Sequence, residues 1–577
     1  MQNAAVAQVF EDIADCLEIA GENVFKIRAY RRAAEAVATF PEAIEDALEA
    51  GTLDDIEGLG AATIAKTKEF LATGRVAELE RLREQYPPGL LELLRVPGLG
   101  PKKIAQLYKE RGISSIETLQ SAIASGELKG LSGFGPKTID NIAEDIRRVG
   151  EMSSQVPLGD ALPAAFALVK TLQNAAQTDN RVLDSSVLKD TTSASATPMN
   201  VKVAGEIRRG CDTISQIVLV ATDEDGELLQ RFTQLPQVKN VVSQDDLSAT
   251  IQVRPGIEAR LEIASRDGFG SALFRATGSQ SHIEEAEKLA RERGVSLDDF
   301  TDETSLYCAL GVDYIAPELR ENKGEWQAAQ DGKLPQLIEI DDIKGDLHAH
   351  STWSDGTASI RQMVMAARER GYQYHAITDH SKALAMANGL DARRLREQAR
   401  EIADVQAEFP DIKVLRGIEC DIMRDGSLDL DDDILGELDW VVASVHSGFK
   451  MGEADQTERM IRAISHPFVN LVAHPTGRIV GRRPGYDVNI AELIAAAKEH
   501  STALEINASE RLDLRDEHAF MARQASVLLC IDTDAHSTRM LENLHLGILT
   551  ARRAWCESQD VLNTKTRDEL MAWLQRS

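Results

Sequence analysis

Several absences set the first limits on this 577-residue chain. No stretch approaches the ~20 uncharged apolar residues that a membrane-spanning helix needs, so no bilayer anchor is expected. The N-terminus, Met1-Gln2-Asn3-Ala4-Ala5-Val6, has neither the basic start nor the apolar core of a secretory signal. Cysteine is sparse: the six residues, at 16, 211, 308, 420, 530 and 556, never fall in Cys-x-x-Cys spacing. That excludes a zinc ribbon and a disulfide framework and fits a reducing compartment; the expected location is the cytoplasm. Basic residues are outnumbered, 64 Lys and Arg against 93 Asp and Glu, for a formal charge of −29. Affinity for nucleic acid draws on cation–phosphate contacts, so any binding to such a polyanion is expected to be weak, local and non-processive. It would rest on backbone N–H groups and on bound divalent cations that a residue count misses. Histidine is nearly missing from the first three-fifths of the chain: His282 alone precedes residue 345, and eleven follow it.

The length predicts three or four domains. Residues 1–150 read as short amphipathic helices punctuated by glycine pairs. A polar run over 184–197 reads as a surface loop or insertion. Strand-like segments at 214–221 and 249–253 indicate an α/β region, and 323–343 is a polar connector. Beyond it, apolar strand-like runs alternate with helical segments, the pattern of a parallel α/β barrel. The expected divisions are 1–85, 86–150, 151–322, 323–344 and 345–577.

Three segments share one form: Ile56-Glu57-Gly58-Leu59-Gly60, Val96-Pro97-Gly98-Leu99-Gly100-Pro101-Lys102 and Leu131-Ser132-Gly133-Phe134-Gly135-Pro136-Lys137. Two glycines permit a tight hairpin that presents backbone N–H groups at a helix N-terminus, where the dipole favours a phosphate. One copy is ordinary helix punctuation; three copies, two ending in Pro-Lys, point to sequence-independent gripping of DNA by Gly58, Gly60, Gly98, Gly100, Lys102, Gly133, Gly135 and Lys137. The layout resembles the lyase and fingers region of family X DNA polymerases. That resemblance puts Lys66, in Lys66-Thr67-Lys68-Glu69-Phe70, at the Schiff-base position of a 5′-deoxyribose phosphate lyase, with Lys68 as a substitute. The amine would need a lowered pKa to attack an aldehyde. The competing reading is a pair of solvated helix lysines.

The resemblance continues through Gly205-Glu206-Ile207-Arg208-Arg209-Gly210 and Thr277-Gly278-Ser279, close to the nucleotidyltransferase motifs of the same family. It implies a palm and thumb in which Gly205, Arg208, Arg209 and Gly278 form a degenerate nucleotide site. Departures fall where that family's metal ligands belong: Gln216-Ile217-Val218 stands for Asp-x-Asp, and Arg260 stands for the third acid. Two-metal phosphoryl transfer needs carboxylates, and Asp212, Asp223, Glu224, Asp225 and Glu262 would have to reach the site from shifted strand positions. The polymerase-like domain is therefore expected to be impaired or inactive, with dNTP as at most a secondary ligand.

From residue 345 metal-ligand types come in order: Asp346-Leu347-His348-Ala349-His350, Asp355-Gly356, Asp379-His380, Glu419-Cys420-Asp421, His446, His474-Pro475 and Asp532-Thr533-Asp534-Ala535-His536. Nearly all follow apolar runs, so strand ends would aim them at one mouth of a barrel. In a strand-borne His-x-His both imidazoles face the same side, so His348 and His350 can share one metal. His375, His466, His500, His518 and His545 are left as core or surface histidines. The ordered set resembles the PHP (polymerase and histidinol phosphatase) family. That resemblance implies three sites: His348, His350, Glu419 and Asp534; Glu419, as a bridge, with His446 and His474; and Asp355, His380 and His536. Imidazole with carboxylate suits Mn²⁺, then Zn²⁺ or Fe²⁺, better than Mg²⁺. Arg478, with Arg482 and Arg483 on the same loop, is a candidate phosphate clamp.

The resemblances together imply a multidomain α and α/β fold: helix-hairpin-helix modules, a nucleotidyltransferase-like palm and thumb, and a distorted seven-stranded PHP barrel. The function they imply is a monomeric DNA-repair enzyme that hydrolyses phosphodiesters at gapped, nicked or 3′ ends. The alternatives are a working polymerase with a proofreading nuclease, a non-enzymatic DNA-end scaffold, and a small-molecule phosphatase.

Overall fold

The computed structural model describes residues 2–39, 44, 47–48, 51–56, 58–93, 96, 99–135, 138–139, 142–143, 146, 155–174, 200–223, 226–235, 238–253 and 257–575. The polar run at 184–197 and the hairpin residues Gly98 and Lys137 lie outside them. The chain divides into two units, Met1–Ser154 and Gln155–Ser577.

The described part of the first unit is helical. Val6, Phe10, Ile13 and Leu17 recur every three or four residues along α1 (Gln2–Ala20). They are buried against Ile27, Tyr30, Ala34 and Val37 of α2 (Val24–Thr39), an apolar stripe at helical spacing. Helices α3 (Ala61–Thr73) and α4 (Ala77–Gln85) complete this core. A second core gathers Leu90, Leu93, Ile104, Leu107 and Leu119 from α5 (Pro88–Leu93), α6 (Pro101–Arg111) and α7 (Ile116–Ser125).

In the second unit α8 (Leu158–Asn174) covers a five-stranded sheet of β1 (Val201–Ala204), β2 (Gln216–Thr222), β3 (Val238–Gln244), β4 (Ser248–Val253) and β5 (Glu258–Ala264). Its order is β1-β2-β5-β4-β3, and only β2 and β5 run parallel. Helices Phe269–Thr277, Gln280–Arg293 and Glu303–Ala309 follow. At their junction Glu303 accepts hydrogen bonds from Arg208 (2.6 Å) and from the fully buried Arg320. Burial alone would raise the Glu303 carboxyl, but Arg320 and Arg208 override it and hold it at about 2. His282 is core as well, with Nδ1 2.7 Å from Glu325 and Nε2 3.0 Å from the Tyr307 hydroxyl.

The last 230 or so residues build a nearly closed barrel of seven parallel strands in sequence order: β6 (Gly345–Asp346), β7 (Tyr374–Ile377), β8 (Lys413–Asp421), β9 (Trp440–Ser444), β10 (Leu471–Val472), β11 (Ala503–Asn507) and β12 (Leu529–Asp532). Covered by helices outside and side chains inside, β9 and β11 are buried at every position, as parallel strands are. Closure comes from a bridge between Ala349, just beyond β6, and Ala535, just beyond β12; the His350 N–H donates to the Ala535 carbonyl at 2.8 Å.

Glu303→Ala is expected to lower the stability of the second unit by about 3–5 kcal/mol, because it strands two buried guanidinium groups. The carboxylate's contribution is complete above its ordinary range and is lost as pH falls toward about 2. Urea midpoints at neutral pH and at pH 3 measure both effects; a variant as stable as wild type at neutral pH would contradict the expectation.

Candidate metal centre

Every strand of the barrel except β11 delivers a candidate ligand at or just beyond its C-terminal end. His348 and His350 follow β6, His380 follows β7, Glu419 lies two residues before the end of β8, His446 follows β9, His474 follows β10, and Asp534 and His536 follow β12. Asp355 rides on the loop after His350, closed by a hydrogen bond from the Gly356 N–H to the Ser351 carbonyl at 3.0 Å. A Cβ at 356 would lie 2.8 Å from the His350 backbone, so only glycine lets that loop fold back. His474 (φ +29°) and Asp534 (φ +51°) have left-handed backbones, a cost that non-glycine residues bear mostly at functional sites.

The other eight side chains gather around Glu419, which is 1% exposed. Its Oε2 lies 2.7 Å from His380 Nδ1 and 3.5 Å from both His348 Nε2 and His350 Nε2. Its Oε1 lies 3.1 Å from His474 Nε2 and 3.3 Å from His446 Nε2. Asp534 stands 3.1 Å from His350 Nε2. On the outer side Asp355 lies 3.5 Å from His380 Nε2 and 3.4 Å from His536 Nε2. Among the described residues three groups have ligand atoms mutually within 4.8 Å: His350, Asp355, His380 and His536; His348, His350 and Glu419; His380, Glu419 and His446. The donors suit divalent transition-metal ions, and their packing fits such ions. The two facing nitrogens of His348 and His350 are 3.3 Å apart, and buried His350 Nδ1 and His474 Nδ1 have no hydrogen-bond partner. Imidazole and carboxylate donors spaced in this way are what a shared cation would satisfy.

A supporting layer holds this set. Glu505, fully buried on β11, lies 2.6 Å from His348 Nδ1 and accepts the His474 N–H at 2.5 Å. Asn507, two residues on and on the same face, donates to Asp534 at 3.2 Å. Asp379 accepts from Ser351 Oγ (2.6 Å) and Gln398 Nε2 (2.6 Å), and Asp421 lies 3.2 Å from His446 Nδ1. Second-layer carboxylates of this kind fix imidazole orientation. Burial lowers His350 to about 3 and His474 to about 4, helped by neighbouring His536 and Arg511 respectively. Burial would also lower His380 and His446, but Glu419 raises them to about 10 and about 9.

Reading by sequence missed Glu505, Asn507 and Arg511. The signal for the first two was Glu505-Ile506-Asn507, an alternation of polar side chains in a strand expected to be apolar. Arg511 lies 3.6 Å from Asp534 at the mouth, with its side chain 20% exposed. Arg483 stacks over the Phe449 ring at 4.5 Å, and Arg482 pairs with Glu510. Arg478 is turned elsewhere: it pairs with Asp212 at 2.7 Å and donates to the Leu512 carbonyl.

Elsewhere, Gly60 and Gly100 are the N-caps of α3 and α6 with no side-chain cap, and Gly60, Gly100 and Gly135 all border open space. Gly58 (φ +99°) and Gly133 (φ +80°) make the turns, and Lys102 is exposed. Lys66 is 3.0 Å from Glu78, and the Tyr30 hydroxyl donates to the same carboxylate at 2.7 Å. Burial would lower the amine's pKa, but Glu78 and Tyr30 raise it, the opposite of what an aldehyde-attacking lysine needs.

In the palm-like sheet Val218 pairs with Arg260, and Gln216 with Glu258, on the less buried face. Glu258 accepts from Gln216 at 3.1 Å, and Glu262 pairs with Arg260 at 3.1 Å. Asp223 caps its own loop through the Gly226 and Leu228 N–H groups. Arg209 donates to Glu321 (2.9 Å) and to the Thr277 carbonyl (2.7 Å). Gly205 (φ +63°) lies against Val218, and a Cβ at Gly278 would lie 2.8 Å from Ile283.

A seven-stranded barrel with this array at its mouth, in one chain with glycine-hairpin helices, defines a PHP-domain protein fused to helix-hairpin-helix modules. Family models match accordingly: a helix-hairpin-helix domain over residues 1–76, a SAM-like helix-hairpin-helix tandem over 90–148 and a PHP domain over 346–509. The whole chain aligns with the whole of the DNA polymerase/3′-5′ exonuclease PolX of Bacillus subtilis (strain 168), 36% identical over 597 residues. The chain belongs to the PolX family of bacterial family X DNA polymerases. A probable phosphatase of Thermoanaerobacter sp. (strain X514) is 28% identical over 232 residues, 38% of this chain and 89% of that one. A probable phosphatase of Shewanella sp. (strain MR-4) is 34% identical over 169 residues, 28% and 62% of the two chains.

With His380 and His446 raised by Glu419, the metal-free centre holds protons that a cation must displace, so affinity should rise with pH through neutrality. Titration calorimetry with Mn²⁺ at pH 7, in two buffers of different ionisation enthalpy, should give different apparent heats and a net proton release. Equal heats would mean that the imidazoles are already neutral.

Proposed function

We propose that the chain is a metal-dependent 3′-5′ exonuclease that trims DNA 3′ ends in gap or base-excision repair, and that its polymerase-like domain lacks a working nucleotidyl-transfer centre. The observation that carries this reading is the convergence of His348, His350, Asp355, His380, Glu419, His446, His474, Asp534 and His536 around one buried carboxylate. Fusion to hairpins with uncapped, open helix N-termini favours DNA over a small phosphomonoester, and the B. subtilis relative is named as an exonuclease as well as a polymerase. The phosphatase relatives leave the chemistry as phosphoester hydrolysis. We take the nine side chains to hold up to three cations, one by His348, His350, Glu419 and Asp534, one by Glu419 with His446 and His474, and one by Asp355, His380 and His536, manganese first.

Divalent cations bound there would supply the Lewis acidity and the lowered water pKa that phosphodiester hydrolysis requires. The protein's part is geometric. Glu505 holds His348 with Nε2 facing the cluster, and Asn507 steadies Asp534. In this reading Arg511 takes the flanking phosphate, since Arg478 is committed to Asp212. Gly58, Gly60, Gly98, Gly100, Lys102, Gly133, Gly135 and Lys137 hold the duplex by its backbone.

The competing reading, an active polymerase with a proofreading nuclease, has one feature in its favour: Glu258 and Glu262 flank Arg260 on the face where cations would sit. Both are already engaged, by Gln216 and by Arg260. Arg209, at the degenerate nucleotide site, is likewise neutralised by Glu321. Lys66 remains a lyase candidate only if the abasic sugar displaces Glu78. In this reading the chain divides further at 85, 150, 322 and 344.

Digestion of a 5′-labelled gapped duplex with Mn²⁺ should give a 3′-shortening ladder that is lost in His348→Ala, with no extension when dNTPs are added. Extension products would overturn the impaired-polymerase half of the reading, and a ladder surviving in His348→Ala would overturn the assignment of the centre. Arg511→Ala should raise KM for DNA by roughly tenfold or more, the loss of a charged hydrogen bond to phosphate. It should leave Mn²⁺ affinity near wild type; an unchanged KM would remove Arg511 from the substrate site.

A further inference from the structure

The polymerase-like domain raises a question that its missing carboxylates sharpen: what it contributes to a chain whose chemistry lies in the barrel. The contact between the two, within the second unit, supplies an answer. His474 begins a loop that leaves the barrel mouth, makes a tight turn (Gly477 N–H to His474 carbonyl, 2.8 Å) and reaches the palm-like domain four residues later. There Arg478 pairs with Asp212 at 2.7 Å. Asp212 lies two residues beyond the Arg208-Arg209-Gly210 motif, and its own carbonyl accepts the Leu158 N–H of α8 at 3.0 Å, so its backbone is held within the palm-like domain. Two residues beyond Arg478, Val480 is 8% exposed and belongs to the palm-like domain's hydrophobic core, as does Leu512 at 3%.

The same loop is laced to the segment that carries Arg511. Arg478 donates to the Leu512 carbonyl, the Val480 N–H donates to the Glu510 carbonyl at 3.0 Å, and Thr476 donates to buried Asp513 through both N–H (3.0 Å) and Oγ1 (2.9 Å). One ion pair thus ties down two strands of backbone, one bearing a candidate metal ligand and the other the candidate phosphate-binding arginine. Side chains that need placement within a fraction of an ångström depend on such supports.

We propose that Asp212 is a positioning residue for the hydrolytic centre: through Arg478 it clasps the 474–486 loop, so that the polymerase-like domain serves as the template on which the barrel's metal mouth is set. The proposal rests on the metal-centre reading above for its consequence, while the clasp itself is independent of substrate.

Full-length protein carrying Asp212→Ala, Asp212→Glu, Arg478→Ala, or Asp212→Ala with Arg478→Ala tests it by two measurements. In the metal-free protein, amide hydrogen exchange at Gly477, Val480 and Tyr486 should quicken by about tenfold or more in Asp212→Ala, while exchange at Leu219 and Val220 in the palm core stays at wild-type rates. Mn²⁺ affinity should fall by about tenfold, the usual cost of losing a ligand's support. Asp212→Glu should restore most of both, and the double variant should be no worse than Arg478→Ala, as expected of two residues acting as a pair. Unchanged loop exchange in Asp212→Ala overturns the clasp, and acceleration of the Leu219 and Val220 amides along with the loop overturns it in favour of general destabilisation. Additive losses in the double variant also overturn it. Should wild type bind Mn²⁺ and show these effects but fail to shorten DNA, the nuclease reading falls and the clasp stands.

Discussion

A single buried carboxylate organises the C-terminal half of this protein. Glu419 is sealed from water, and an uncompensated charge there would be prohibitive; five imidazoles within 3.5 Å are what the barrel supplies instead. Those imidazoles come from β6, β7, β9 and β10 or the loops just beyond them. The order of strands, their parallel direction and the closure between Ala349 and Ala535 are all conditions for placing them. The electrostatics is mutual: Glu419 raises His380 and His446, and they hold it well below its ordinary range. Side chains that stabilise one another only when a positive charge is shared among them form a cage in which cations can take the place of protons.

The palm-like domain meets its electrostatic constraint differently. Its arginines face carboxylates within the fold, Arg208 and Arg320 on Glu303 and Arg209 on Glu321. Glu321 also pairs with Arg553, and Asp212 with Arg478, both beyond residue 345. In this domain those cationic groups are neutralised by carboxylates of the fold. The acidity of the whole chain, 93 Asp and Glu against 64 Lys and Arg, supplies carboxylates enough for such pairing.

The architecture was legible wherever a physical period or a repeated motif wrote it into the chain. Glycine pairs before helices announced the hairpins, and ligand types at the ends of apolar runs announced the barrel mouth, because parallel strands force such residues to one end. What escaped was anything set by long-range packing. Glu505 and Asn507 sit within a strand and touch the centre only because β11 lies between β10 and β12. Arg511 and Arg478 are both loop arginines, and nothing local distinguishes the one facing Asp534 from the one facing Asp212, 266 residues away. Lys66 illustrates the same limit: its helix was readable, but the Glu78 and Tyr30 partners that set its charge were not.

The closure of the barrel has a consequence for how the chain can be cut. Strand β6 is two residues long and β10 equally short, so little backbone pairing would survive if the ring were opened. A fragment ending before Ala535 would turn a ring into an open ribbon with two unpaired borders, rich in buried apolar side chains, and such borders recruit other chains. The last forty residues are therefore less an appendage than the seam of the barrel, and shortened versions of this protein should be sought among aggregates before they are sought among enzymes.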